Sequence, residues 1–147
     1  MEHEEYMRQA LELARLAMAE GEVPVGCVIV RDGAVVGRGR NRRETAQTAL
    51  GHAELEAIAQ ACRTLGGWRL AGCALYVTLE PCPMCAGAIV NARIPAVYYG
   101  AKDDKAGCCG SVLNLFEERF NHHPRIYGRV LEAECAALLQ EFFQFLR

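Results

Sequence analysis

Two short segments carry side chains whose types and spacing suit metal chemistry: His52-Ala53-Glu54 and Pro81-Cys82-Pro83-Met84-Cys85. Cys82 and Cys85 stand at i and i+3, so on a first helical turn both thiols project from one side. The free N–H groups and the dipole of such a turn favour thiolates. Two thiolates and one imidazole form a ligand set soft enough for zinc, and three protein ligands leave the fourth tetrahedral position to water. Water on zinc ionises near neutral pH. Glu54, two residues from the histidine, can reach that water without binding the metal, which suits it to act as a proton shuttle.

Each part has a plainer reading on its own. A Cys-x-x-Cys pair serves equally well as a redox couple. It also serves in a closed structural zinc site, with Cys27, Cys108, Cys109, His122 or His123 as the fourth ligand. A single histidine is more often a core or surface residue than a ligand. A closed site, however, has no use for Glu54. The conjunction of the two motifs, each opening an expected helix, favours an open catalytic site.

The elements that must position these residues follow from periodicity and breakers. Residues 5–20 repeat apolar side chains at helical spacing (Met7, Ala10, Leu11, Ala14, Ala17), and Gly21 stops them. Residues 25–36 read as a β-hairpin turning at Asp32-Gly33. A polar loop covers 39–50. Residues 52–65 form a helix with Leu55, Ile58, Ala59 and Cys62 on its apolar face, ended by Gly66-Gly67. A buried strand at 74–79 leads into a helix at 81–92, where proline suits the first turn. A strand at 96–99, a loop-rich stretch with a short helix near 111–119, and a strand at 126–130 follow. The last helix, 132–146, turns Cys135, Leu138, Leu139, Phe142 and Leu146 to one side. Helices alternating with strands in this order give an α/β layered domain with a mixed sheet, the hairpin supplying its antiparallel part.

Composition bounds the function. A chain of 147 residues is one domain's worth, so residues 1–147 are read as a single unit. Hydrophobic residues at 52% and charged residues at 23% bury a core and exclude general disorder. A formal net charge of −2 excludes attachment to nucleic acid by bulk positive charge, so RNA contact needs a local patch. The opening Met1-Glu2-His3-Glu4-Glu5 lacks the apolar core of an export signal, and no apolar run spans a bilayer. The expected location is cytoplasmic, with no membrane partner. Eight cysteines in a reducing compartment divide into metal ligands and buried small hydrophobes, the latter including Cys62, Cys73 and Cys135.

Local patches exist. Fourteen arginines face two lysines. Arg38, Arg40, Arg42 and Arg43 cluster just before the His52 helix, where they suit phosphate contacts or a solvated loop equally. Lys102, Lys105, Arg119, His123 and Arg125 form a looser group, and Arg147 ends the chain as a further candidate contact. Phe142 is expected in the core, and Phe143 or Phe145 exposed for stacking. Cys108-Cys109 in a glycine-flanked loop are the expected oxidation hazard, and His3 is read as a frayed end.

His-x-Glu followed by Pro-Cys-x-x-Cys is the general signature of the zinc nucleobase deaminases, among whose standard examples is a tRNA deaminase, so the reaction is taken from that class. Over residues 6–147 the chain resembles the bacterial tRNA-specific adenosine deaminases, the TadA family of the cytidine deaminase-like superfamily. The stretches that carry the likeness are Val23-Pro24-Val25-Gly26, Gly51-His52-Ala53-Glu54, Thr78-Leu79-Glu80-Pro81-Cys82-Pro83-Met84-Cys85-Ala86-Gly87-Ala88, Arg93-Ile94, Gly100-Ala101-Lys102-Asp103, Lys105-Ala106-Gly107, Gly110-Ser111, Asn121-His122, Glu134-Cys135 and Phe142-Phe143. Those after residue 100 favour the tRNA enzymes over their small-molecule relatives. Cys27 and Cys108-Cys109 stand where the family has small residues.

The resemblance implies a cytidine deaminase-like three-layer fold, with a five-stranded mixed sheet flanked by helices. It implies hydrolytic conversion of adenosine to inosine at the wobble position of a tRNA anticodon stem-loop. One zinc ion per subunit and a homodimer come with it. Matched by position, His52, Cys82 and Cys85 are the zinc ligands and Glu54 the general acid/base. Asn41 reads the purine, and Asp103, Lys105, Asn121 and His122 fall in loops lining the RNA cleft. Two alternatives stand beside this reading. One is a deaminase of a free nucleobase or nucleotide of guanine or cytosine type. The other is a catalytically silent zinc module, which the intact Glu54 and the three-ligand set disfavour.

Overall fold

A computed structural model describes residues 2–146, so Arg147 lies outside the described residues. The chain runs α1 (Glu2–Ala19), β1 (Gly26–Arg31), β2 (Ala34–Arg40), α2 (Ala53–Leu65), β3 (Cys73–Leu79), α3 (Pro83–Asn91), β4 (Ala96–Ala101), β5 (Arg125–Tyr127) and α4 (Glu132–Phe145), with one 3₁₀ turn at Leu115–Glu117. The five strands form one mixed sheet in the order β2-β1-β3-β4-β5. β1 is antiparallel to both β2 and β3, whereas β3, β4 and β5 are parallel. Helices α2 and α3 cover one face and α1 and α4 the other, giving the three layers expected.

The hairpin turns where Asp-Gly stands. Asp32 and Gly33 have φ of 50° and 78°, the double left-handed geometry of a two-residue turn that matches strand twist. Side chains along β1 then alternate: Cys27 and Ile29 go under α2 and α3, Val28 and Val30 under α1. β3 and β4 divide in the same way, Leu75, Val77 and Val97 to one side and Tyr76 and Tyr98 to the other.

Helix α2 meets the sheet by a face other than the one its large residues suggest. Ala53, Ala57 and Ala61 are buried, Leu55 and Ile58 only half-buried, and Ala59 exposed. The cause lies on β2. A Cβ at Gly37 would lie 2.3 Å from the Ala57 carbonyl oxygen, and one at Gly39 would lie 2.1 Å from that of Ala53. Two glycines thus let the helix backbone settle onto the strand, and only alanines fit between them.

Other expectations are also adjusted. The short helix near 111–119 is only the Leu115–Glu117 turn, and β5 ends at Tyr127. Leu146 is exposed rather than part of the α4 core face, which consists of Cys135, Leu138 and Phe142. Cys62 is half-buried, while Cys73 and Cys135 are buried as expected. Cys108 and Cys109 are buried too, and burial pushes both thiols up, so this pair is shielded rather than oxidation-prone. His3 is not frayed. Its ring stacks on Tyr98 at 4.4 Å and its Nδ1 shares a 2.6 Å hydrogen bond with the Tyr76 hydroxyl. Tyr76, Tyr98 and Tyr127 continue the stack across three strands.

Candidate active site

Parallel strands present their carboxyl ends as ligand-binding edges, and the predicted motifs converge at that edge of β3 and β4. Leaving β3, the chain passes Glu80 and Pro81 and enters α3 with Cys82 as N-cap and Cys85 one turn on. His52 is the N-cap of α2, which faces the same edge. Pro83 occupies the first turn of α3, where its missing N–H has no intrahelical partner in any case.

His52 Nδ1 lies 3.6 Å from Cys82 Sγ and 3.5 Å from Cys85 Sγ. These three residues form a cluster whose ligand atoms all lie within 4.8 Å of one another. A tetrahedral zinc ion with Zn–N of about 2.0–2.1 Å and Zn–S of about 2.3 Å separates nitrogen from sulfur by about 3.6 Å. The donor set therefore fits zinc in chemistry and in spacing. The Cys85 thiol donates to Cys82, and with His52 beside it this brings Cys82 down to about 4, a thiolate at neutral pH. The same sharing pushes Cys85 up, and the Cys82 sulfur raises His52.

Glu54 is 4% exposed, on the buried side of the first turn of α2. Burial pushes its carboxyl up to about 7; Cys82 adds to the rise and His52 opposes it. A cleft of about 200 Å³ opens beside it, with Asn41, Arg43, His52, Glu54, Cys82 and Asp103 on its walls. Asn41 is buried and aligned by two backbone groups: its Nδ2 donates to the Val23 carbonyl (3.2 Å), and its Oδ1 accepts from the Arg43 N–H (3.3 Å).

The remaining expected residues divide. Lys105 lines a groove adjoining the cleft, together with Lys102 and Phe143. Asn121 and His122 do not line the cleft; His122 Nε2 donates to the Ile94 carbonyl at 2.7 Å, and Asn121 is exposed. His123 Nδ1 donates to the Phe116 carbonyl at 2.8 Å. The arginine cluster is not one patch. Arg40 forms a double hydrogen bond with Glu20, and Arg42 lies 3.0 Å from a carboxylate oxygen of Glu56. Arg43 reaches the cleft wall with no ion pair among the described residues.

Two buried carboxylates were not singled out by sequence. Glu22 accepts the N–H groups of Glu44 and Thr45, pinning the loop that carries Asn41 and Arg43. Glu80 accepts four hydrogen bonds from the loop that carries Asp103. Burial raises both, but their hydrogen bonds outweigh it and hold both below the ordinary carboxylate range. The one available signal was Glu80's position inside the cysteine motif's own stretch.

Known proteins place the chain. The family model of the MafB19-like deaminases matches residues 1–147. A tRNA-specific adenosine deaminase of Bacillus subtilis is 51% identical over 143 residues, covering 97% of this chain and 89% of the relative. A solved structure from work on A-to-I editing by tRNA:A34 deaminases at the wobble position of transfer RNA superposes with a TM-score of 0.88. It shares 45% identity and covers 91% of this chain and 98% of its own. A guanine deaminase from Bacillus subtilis superposes with a TM-score of 0.68 at 35% identity, covering 99% and 96%. Matched by the family model along its whole length, the chain belongs to the MafB19-like deaminases, and among them to the tRNA-specific adenosine deaminase family.

Proposed function

We propose that this protein deaminates adenosine to inosine at the wobble position of tRNA anticodons, with one zinc ion per chain on His52, Cys82 and Cys85. The observation that carries the reading is the buried Glu54 carboxyl on the wall of the same cleft as His52 and Cys82 of this ligand cluster. A closed structural site would have no use for that cleft or that carboxyl. When bound, zinc supplies a Lewis acid that makes water nucleophilic at neutral pH.

The chain's own residues do the rest. Glu54 takes the proton of the attacking water and delivers it to N1 of a flipped-out adenine. It then takes the remaining proton from the new C6 hydroxyl and passes it to the amino group; the C6–N bond breaks, ammonia departs and the C6 oxygen becomes the carbonyl of inosine. Asn41 has already spent one N–H and one lone pair on Val23 and Arg43, so one further donor and one acceptor remain to read the purine edge. Arg43 suits a backbone phosphate at the mouth of the cleft. Asp103 lines both the cleft and the groove beside it, and Lys105 with Phe143 suits a neighbouring nucleotide. Asn121 and His122 belong to the outer reach of the RNA path rather than to the base pocket.

A homodimer is the assembly we expect. Leu50 is exposed and Leu55 and Ala59 stand on the outer side of α2, an apolar strip beside His52 that a second copy would cover. Sedimentation tests it. No helix among the described residues is long and apolar enough to cross a membrane, and a tRNA substrate is met in the cytoplasm.

The alternative, a free guanine or cytosine deaminase, shares the metal and Glu54 but has no need of Arg43 or the lysine-lined groove. The deciding experiment offers zinc-loaded protein a stem-loop with a wobble adenosine, and in parallel adenosine, adenine, guanine, cytosine and cytidine. Inosine in the stem-loop alone is the expected result. Turnover of a free base with an untouched stem-loop overturns it.

A further inference from the structure

We infer that Glu80 is a positioning residue for substrate binding: its carboxylate anchors the loop of residues 103–111 to the start of the cysteine helix and so sets where Asp103 stands in the cleft. The inference rests on the deaminase reading above.

Glu80 leaves the end of β3 two residues before Cys82 and is 2% exposed. Its Oε1 accepts the Asp103 N–H at 3.1 Å and the Ser111 hydroxyl. Its Oε2 accepts the N–H groups of Cys109 at 2.9 Å and Ser111 at 3.1 Å. All four donors come from one loop. The loop is then closed locally, because Asp103 Oδ1 accepts from the N–H groups of Lys105 and Ala106. Gly107 lies against the carboxylate so closely that a Cβ there would be 2.4 Å from Glu80 Cδ. The Cys108 N–H donates to the Pro81 carbonyl at 2.8 Å, a second tie between the same two segments.

This carboxylate is therefore the core around which the loop is wound. Asp103 and Ala106 wall the cleft, and Lys105 the groove beside it. The cysteine helix reaches the metal cluster without drawing on any of the four bonds. Loop placement and metal placement are thus separable, and the separation gives the test.

Glutamine at position 80 keeps shape but offers one oxygen and a donor in place of two oxygens. Whichever way the amide turns, it sets N–H against N–H, either at Asp103 or at Cys109 and Ser111. With Glu80→Gln, zinc per chain should stay at the wild-type value. Amide exchange in 103–111 should accelerate while that of β3 and α3 does not. The KM for the stem-loop should rise about tenfold, the effect of one well-made buried hydrogen bond to a charged group, with kcat within about threefold. Ser111→Ala removes one donor and creates no clash; it should shift KM the same way by less, and it carries the test if Glu80→Gln does not fold. Unchanged loop exchange overturns the inference. So does loss of zinc or of kcat at constant KM, which would make Glu80 a support of the metal helix. If wild-type protein leaves the stem-loop untouched, the deaminase reading fails, and the exchange measurement still decides whether Glu80 holds the loop.

Discussion

A Cβ placed on Gly39 would lie 2.1 Å from the carbonyl oxygen of Ala53. Ala53 is the residue between His52 and Glu54, so the glycine of one edge strand sets how deeply the start of α2 sinks toward the sheet. The depth matters twice: it aims the imidazole at the cysteines, and it buries the carboxylate.

Gly39→Ala should therefore damage fold and site together. The clash is with backbone, which cannot swing aside as a side-chain end can. The expected cost is about 3 kcal/mol, the upper end for overpacking, or about 6–12 °C in Tm for a chain of this size. Thermal unfolding beside zinc content checks it. A variant that melts like wild type and keeps its metal would show that α2 has more freedom than the contact implies.

The motifs and the hairpin were readable in the sequence because their physics is local. Cys82 and Cys85 share a turn, and Asp32-Gly33 names its own turn geometry. The inner face of α2 was not readable. Periodicity weighs large side chains, which favoured Leu55 and Ile58, whereas the glycines of β2 select Ala53, Ala57 and Ala61. Glu22 and Glu80 escaped for a different reason. Their partners are mostly backbone amides some 20–30 residues away in sequence, and no pattern of residue types announces that a carboxylate will be buried under a distant loop. The arginine cluster was visible, but its division into paired Arg40 and Arg42 and an Arg43 without an ion pair among the described residues needed Glu20 and Glu56 in place.

Glu54→Gln isolates the proton carrier. The amide fills the same buried space, so the protein should fold and hold one zinc per chain. Turnover of the stem-loop should fall by about a thousandfold, within the usual range for a lost general acid/base. Metal analysis and single-turnover inosine formation check both halves. Cys85→Ser gives the opposite pattern. Even an outer partner of a metal ligand is worth about 10–100-fold in affinity, so losing a ligand should weaken zinc binding by more than that, and activity should follow metal content.

Glu22 gives a pH signature. Burial alone would raise its carboxyl, but the amides of Thr45 and Glu44 outweigh burial and hold it below its ordinary value. A carboxylate lowered by folding stabilises the protein fully above the unfolded value of about 4.3, and that contribution disappears as pH falls through the folded value. The Tm gap between wild type and Glu22→Gln should thus be constant from about pH 8 to 6 and shrink below about pH 4. A gap that persists unchanged into acid would mean the amides are bonded equally well by a neutral group.

Arg43 yields the sharpest statement about the substrate. Arg40 and Arg42 have carboxylate partners, whereas Arg43 stands on the cleft wall without one among the described residues. A contact to single-stranded phosphate contributes about 0.7 to the slope of log affinity against log salt. Arg43→Ala should therefore weaken stem-loop binding, more at low salt than at high, and flatten that slope by about this amount. Arg38→Ala is the natural control, because Arg38 faces the groove shared with Glu5 and Glu12 of α1 rather than the cleft. Binding measured by anisotropy across a salt series separates the two. If Arg38→Ala flattens the slope and Arg43→Ala does not, the RNA crosses the hairpin edge instead of the cleft mouth, and the path past Arg43 and Lys105 is wrong.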